Sequence, residues 1–578
     1  MKRMILLLTC AFAVLTAGAQ QDTLKYRISL KDKAATEYSL DRPEEFLSPK
    51  AIERRSKQHL PIDSTDLPVC RKYVDEIRRQ GVNVVVTGKW DNFVTVSCND
   101  TALIGRILSL PFVRTAEKVW TAPKGPSFSE RRDSLVNRPT VYRDSIYGAA
   151  VTQIQMSRGD KLHQAGFRGQ GMTIAVIDAG YHNVDSITAM QNIRILGVKD
   201  FVNPAADIYA ESSHGLSVLS CIGMNRPNVM IGTAPEASFW LLRSEDEYSE
   251  HLVEQDYWAA AVEFADSVGV DVINTSLGYY SFDDPSKNYR FRDLDGHYSL
   301  MSRQASRVAD KGMILVCSAG NSGQGSWKKI TPPGDADNVL TVGAIDKKAL
   351  LAPFSSIGNT ADGRVKPDVV AVGLGADVIR TDGNQGRANG TSFSSPIMCG
   401  MVTCLWQACP TLTAKEVIEL VRRSGDRADF PDNIYGYGVP DMWKAYQEYQ
   451  KTVSRCPCFV FPFSIWDGHK RGSCTPRVGY FDTPLVGYDH RALVGYGSTP
   501  RVGYNRLSLG FINLLIINPV YGKYGSLVDH SLIDFSTSLS IISVKTILWM
   551  HYPYTTSMPW CGAALSSACP TSIGYRPN

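Results

Sequence analysis

No charged side chain occurs between Arg387 and Lys415, and this constrains the fold more than any other stretch of the chain. The interval opens as Asn389-Gly390-Thr391-Ser392-Phe393-Ser394-Ser395-Pro396 and runs on through Ile397, Met398, Cys399, Gly400, Met401, Val402, Thr403, Cys404, Leu405 and Trp406. A segment that is apolar or small on every side reads as a helix enclosed by protein. Pro396 is expected in the first turn, where its missing N–H breaks no helical bond. Ser392 then stands at the start of a buried helix. There the unpaired N–H groups and the positive end of the helix dipole favour an oxygen that becomes an anion. Taken alone, the bland reading is an N-cap serine.

The chain has 578 residues, 44% of them hydrophobic, enough to bury large cores and to make several domains. Its formal net charge of +4 is small for this length, so nothing marks a nucleic-acid partner or an anionic membrane surface. Met1-Lys2-Arg3, an apolar run to Leu15 and Ala17-Gly18-Ala19 have the three zones of a secretory signal over residues 1–19, with cleavage expected after Ala19. Export follows: secreted, periplasmic or at the cell surface. Cys221, Cys317, Cys399, Cys404 and Cys409 lie in apolar stretches and read as small buried thiols, while cysteine spacing fixes no disulfide pairing. There is no His-Glu-x-x-His and no paired Cys-x-x-Cys, so a zinc site has no support.

Residues 20–120 read as a small α+β module, with helices near 73–80 and 101–108 among strands near 24–30, 82–86, 93–96 and 112–119. A charged, proline-bearing linker follows over 121–147, with Pro123, Pro126, Arg131, Arg132 and Pro139. From 148 to 450 short apolar runs alternate with helical stretches. Candidate strands are 173–177, 193–196, 239–242, 270–273, 313–316 and 339–342. The helix over 414–424 has a capping box in Thr413 and Glu416 and ends at Gly425. Apolar strands alternating with helices predict an α/β fold, a parallel sheet with helices on both faces. Ligand sites in such sheets lie beyond the strands' carboxyl ends. Asp178 closes the run Ile174-Ala175-Val176-Ile177; His214 opens a helical stretch in Ser212-Ser213-His214-Gly215; Asn321 follows a strand in Ala319-Gly320-Asn321. Each alone has an ordinary structural reading as a cap, turn or surface residue.

Together these segments resemble the subtilisin-like serine protease family, the subtilases. The order Asp178, His214, Ser392, with Asn321 between the last two, is the order of that family, and no Gly-x-Ser-x-Gly elbow is present. Gly390-Thr391-Ser392, Pro396, Ala319-Gly320-Asn321 and Ser276-Leu277-Gly278 also match. Ala179 and Leu216 depart from the family's usual Ser or Thr and Thr, and neither replaces a reacting group. The resemblance implies a secreted endopeptidase in which Asp178, His214 and Ser392 are catalytic, Asn321 binds the oxyanion, and Ser276, Leu277 and Gly278 pair with extended substrate. Gly278 is expected to let that backbone approach closely. It also implies that the first module is a propeptide acting as an intramolecular inhibitor, with polypeptides as substrates. The alternative is a catalytically silent binding protein on the same fold. No cofactor is expected; family members often bind calcium, yet no loop here has a recognisable ligand spacing. His182, Asp185 and His251 fall outside the matched motifs and read as ordinary polar residues.

Residues 451–578 form a tail of different composition. Val-Gly-Tyr recurs at 478, 486, 494 and 502, a spacing of eight, and the apolar runs after it are too short or interrupted to span a membrane. A surface-attachment module and an out-of-frame tail are both open readings.

Overall fold

The structure is a computed structural model that describes residues 23–122, 140–142 and 145–455. The signal-like segment, most of the linker and the repeats of the tail lie outside the described residues.

The first module contains a sheet of four strands, β1 (Leu24–Leu30), β2 (Asn83–Gly88), β3 (Phe93–Cys98) and β4 (Val113–Thr121), in the order β2-β3-β1-β4. The ladders between these neighbours are antiparallel. Its helices are α1 (Pro49–Lys57), α2 (Arg71–Arg79) and α3 (Ala102–Leu108). The sequence reading lacked α1, whose apolar content is low; it starts on a Ser48 cap that accepts from the Ala51 N–H and on Pro49 at the first helical position.

A seven-stranded sheet organises the rest. Its strands are β5 (Thr173–Asp178), β6 (Arg194–Asp200), β7 (Ser238–Arg243), β8 (Val272–Thr275), β9 (Ile314–Ser318), β10 (Leu340–Ile345) and β11 (Val369–Val372). They lie in the order β11-β10-β9-β8-β5-β7-β6, and every pairing is parallel. The α/β expectation holds. Ile174 and Val176 of β5 pack into one core, Ala175 and Ile177 into another, as alternation along a strand covered on both faces requires. The first core also holds α4 (His214–Gly223) and α7 (Thr391–Ala408). The second holds α5 (Val253–Val268) and α6 (Leu300–Val308). A hairpin of β12 (Leu374–Ile379) and β13 (Gln385–Asn389), absent from the sequence reading, leads into α7.

The uncharged segment is the buried helix it was expected to be: Ile397, Met398, Met401, Val402 and Leu405 are fully enclosed. Each contributes roughly 1.5–3 kcal/mol by leaving water. Pro396 is not in the first turn, which is a correction. The helix begins at Thr391, so Pro396 sits in the second turn and deprives the Ser392 carbonyl of its i+4 donor. α8 (Ala414–Ser424) carries the expected capping box. α9 (Met442–Arg455) passes the expected boundary at 450, because no glycine or proline interrupts it.

The first module is docked on α5 through buried charge. Arg54 reaches Asp266 at 2.6 Å, Arg55 reaches Asp266 at 3.0 Å and Lys89 reaches it at 3.1 Å. Arg27 donates to Asp256 from Nε at 2.6 Å, and Thr95 donates to the other oxygen at 2.6 Å. Glu263 accepts from the backbone N–H groups of Lys89 and Trp90 at 2.6 and 2.9 Å. Burial by itself would raise the Asp266 carboxyl, but Lys89, Arg55 and Arg54 outweigh it and hold it well below the carboxylate range.

Candidate active site

Parallel strands end together, so residues at their carboxyl ends converge. Asp178 is the last residue of β5, His214 the first of α4, and Ser392 the second of α7. His214 Nδ1 donates to Asp178 Oδ1 at 2.7 Å, and the same oxygen accepts the Ala179 N–H at 2.8 Å. Asp178 is buried, whereas the His214 side chain keeps 31% of its surface exposed. Burial opposes charging the ring. Asp178, by its charge and its hydrogen bond, outweighs this with help from Glu245 and Glu247, and the imidazole is pushed up to about 9.

His214, Ser276, Gly278, Asn321, Thr391 and Ser392 line one cleft of about 330 Å³. Leu277 lines it too. Gly390 enters the helix at φ +154°, a conformation that side chains rarely adopt, and turns the chain so that Thr391 and Ser392 face the cleft. Asn321 Oδ1 accepts from both the backbone N–H and the hydroxyl of Thr391, each at 2.9 Å. This fixes the amide and leaves its nitrogen as the group able to donate into the cleft. The Ser392 hydroxyl donates to the Ser276 carbonyl at 3.2 Å, and among the described residues it makes no hydrogen bond to His214. The Ser392 carbonyl, freed by Pro396, accepts from the Ser276 hydroxyl at 2.9 Å.

All seven residues singled out from the sequence therefore meet at one end of the sheet, with Asp178 behind the cleft wall. A Cβ on Gly278 would come within 2.3 Å of Thr331 Oγ1, another residue of the cleft lining, so the glycine is also needed for that approach. His182 is buried, with its backbone N–H on the Ser212 carbonyl, and is not among the residues lining the cleft; His251 packs edge-on to Trp120 of the first module. Sequence reasoning missed Thr391, which holds Asn321, and the carboxylates of Glu245 and Glu247 on the cleft wall. Glu245 lies two residues past β7, where the strand-end rule would have found it. Burial and then Asp178 push its carboxyl up to about 8, against the pull of His214. Among the described residues no group of three or more His, Cys, Asp or Glu side chains is placed to hold a metal ion. Cys221, Cys317, Cys399, Cys404 and Cys409 are buried free thiols.

A parallel α/β sheet that gathers a serine, a histidine, an aspartate and a fixed amide at its strand ends has the layout of a serine hydrolase. Residues 169–438 match the subtilase family, peptidase S8, and residues 25–133 match the peptidase S8 propeptide domain of Bacteroidota. Residues 169–438 are a subtilase-type serine peptidase domain, preceded by a propeptide domain of the same peptidase S8 type. It is 28% identical over 301 residues to serine protease AprX of Bacillus subtilis (strain 168), covering 47% of this chain and 65% of that protein. It is also 28% identical over 301 residues to subtilisin NAT of Bacillus subtilis subsp. natto, covering 51% of this chain and 70% of that one. The crystal structure of MycP1 from Mycobacterium smegmatis matches at 22% identity and a TM-score of 0.42, over 55% of this chain and 89% of that chain.

Proposed function

We propose that this protein is an exported serine endopeptidase that cuts polypeptides through an acyl-enzyme. The observation that carries this is the 2.7 Å pair of His214 and Asp178 opening on the same cleft as Ser392 and Asn321. In this reading His214 takes the Ser392 proton as the hydroxyl attacks the carbonyl, then gives it to the leaving amine. Asp178 holds the ring's tautomer and stabilises the imidazolium. Asn321 Nδ2 and the Ser392 backbone N–H receive the oxyanion. The segment Ser276-Leu277-Gly278 pairs with extended substrate as an added strand.

The first module acts as the propeptide and inhibits the enzyme until it is cut away. Its match to a peptidase S8 propeptide domain and its docking on α5 support this role. Among the described residues no helix is long and apolar enough to cross a membrane. The test is peptide hydrolysis by purified wild type and Ser392→Ala. Wild type should hydrolyse the peptide and shed its first module, while Ser392→Ala does neither and keeps its fold. Equal turnover by the two would overturn the assignment.

A further inference from the structure

Behind the cleft lies a chain of buried hydrogen bonds that the proposed chemistry does not use. Ser395 Oγ donates to Asn274 Oδ1 at 2.9 Å; Asn274 Nδ2 donates to Ser276 Oγ at 3.0 Å; Ser276 Oγ donates to the Ser392 carbonyl at 2.9 Å. Asn274 and Ser395 are wholly enclosed, and Ser276 is 6% exposed. Asn274 sits on β8, in the middle of the sheet with β5 and β9 as neighbours, so its backbone is held on both sides. Ser392 and Ser395 are three apart on α7 and share one face of it.

The direction of every bond in this chain is forced. A serine hydroxyl has one proton, and a carboxamide oxygen has none. Because the Ser392 carbonyl can only accept, Ser276 Oγ points its one proton there and must accept from Asn274, so the amide nitrogen faces Ser276 and Oδ1 faces Ser395, whose hydroxyl donates to it. Ser276 Oγ thus accepts a hydrogen bond from Asn274 Nδ2 and donates its own to the Ser392 carbonyl. That carbonyl lacks a helical donor, because its i+4 residue is Pro396. A buried carbonyl without a donor is costly, so the site and its partner specify one another.

We infer that Asn274 is a positioning residue: through Ser276 it ties the backbone of Ser392 to the Ser276-Leu277-Gly278 segment, so that nucleophile and substrate strand hold a fixed register. The inference rests on Ser392 being the nucleophile. Ser276 is the junction, because its hydroxyl holds Ser392 while its carbonyl receives the Ser392 hydroxyl. Asp at position 274 has nearly the same shape and still accepts from Ser395, but it offers no proton to Ser276. Ser395→Ala removes the constraint on the amide and touches neither the cleft nor the reacting groups.

The experiment measures kcat and KM per fluorophosphonate-titrated active site for wild type, Asn274→Asp, Asn274→Ala and Ser395→Ala, with Tm for each. The expected result is a fall in kcat of about tenfold or more in Asn274→Asp and a smaller fall in Ser395→Ala, with KM within about twofold in both. A purely structural role would lower Tm and the titrated fraction and leave kcat per titrated site at the wild-type value. That result overturns the inference, as does full kcat in Ser395→Ala together with full kcat in Asn274→Asp. If neither Asn274 variant folds, the Ser395→Ala measurement alone decides it. Wild type that neither titrates nor turns over would instead overturn the proposed function.

Discussion

Ser276 and Ser392 hold each other by two reciprocal hydrogen bonds: the hydroxyl of Ser276 donates to the carbonyl of Ser392 at 2.9 Å, and the hydroxyl of Ser392 donates to the carbonyl of Ser276 at 3.2 Å. The first bond exists because Pro396 supplies no helical N–H to that carbonyl. The second is one the hydroxyl must leave when it turns to His214. Pro396→Ala restores an N–H that competes with Ser276 for the Ser392 carbonyl. It should leave Tm unchanged or raise it, and lower kcat with KM nearly constant. Unchanged kcat at higher Tm would show that the proline serves only the helix.

The pH dependence follows from His214. A general base acts only when neutral, and its pKa is raised to about 9 by Asp178, with Glu245 and Glu247 adding to the effect. The kcat/KM profile of the free enzyme should therefore rise with pH, reach half its maximum near that value and level off above it. Glu245→Gln removes a negative charge that favours the imidazolium, so its rising limb should move to lower pH. A limb that stays in place would mean that Glu245 does not sense the ring.

Asn321 is held by Thr391, and the two are separable. Asn321→Ala should lower kcat by about 10²- to 10³-fold with little change in KM, since its nitrogen acts on developing charge. Thr391→Ser keeps both donors to Asn321 Oδ1 and should keep most activity. Thr391→Val keeps only the backbone donor and should fall below it. Equal rates for the two Thr391 variants would remove the hydroxyl from the account.

The docking of the first module rests on Asp266. Asp266→Asn leaves Arg54 and Lys89 buried without their carboxylate and Arg55 with Asp66 alone, a loss of about 3–5 kcal/mol in such a site. In the uncut Ser392→Ala background it should lower Tm and open the module to proteolysis. Because the docked Asp266 carboxyl is held below its free value, its contribution is full above about pH 4 and is lost as pH falls further toward the depressed value. Wild-type docking should thus not weaken through Asp266 between pH 5 and pH 8. Release of the wild-type module across that range that is absent from Asp266→Asn would count against this.

The elements that carry the chemistry were legible because the parallel sheet imposes a local signature. Apolar runs such as 173–177 and 313–316 must be apolar on both faces, and polar residues that end them stand out. Asp178 and Asn321 are visible for that reason, and His214 because it opens a helical stretch. What stayed hidden depends on partners distant in sequence. α1 has little apolar periodicity and is held by the ion pairs of Arg54 and Arg55 with Asp266. The β12–β13 hairpin is held by its own ladder and by packing on α4. Pro396 looked like a first-turn proline because the sequence does not show where α7 begins; the purpose of its missing N–H appears only once Ser276 is seen beside it.

Ser392 as an activated nucleophile is the central claim, and covalent labelling tests it most directly. Purified wild type is treated with a fluorophosphonate, digested, and the modified peptide identified by mass spectrometry. The account predicts one adduct, on Ser392, abolished in Ser392→Ala and strongly slowed in His214→Ala. An adduct on another residue, or wild type with its first module removed that remains unlabelled, would contradict it.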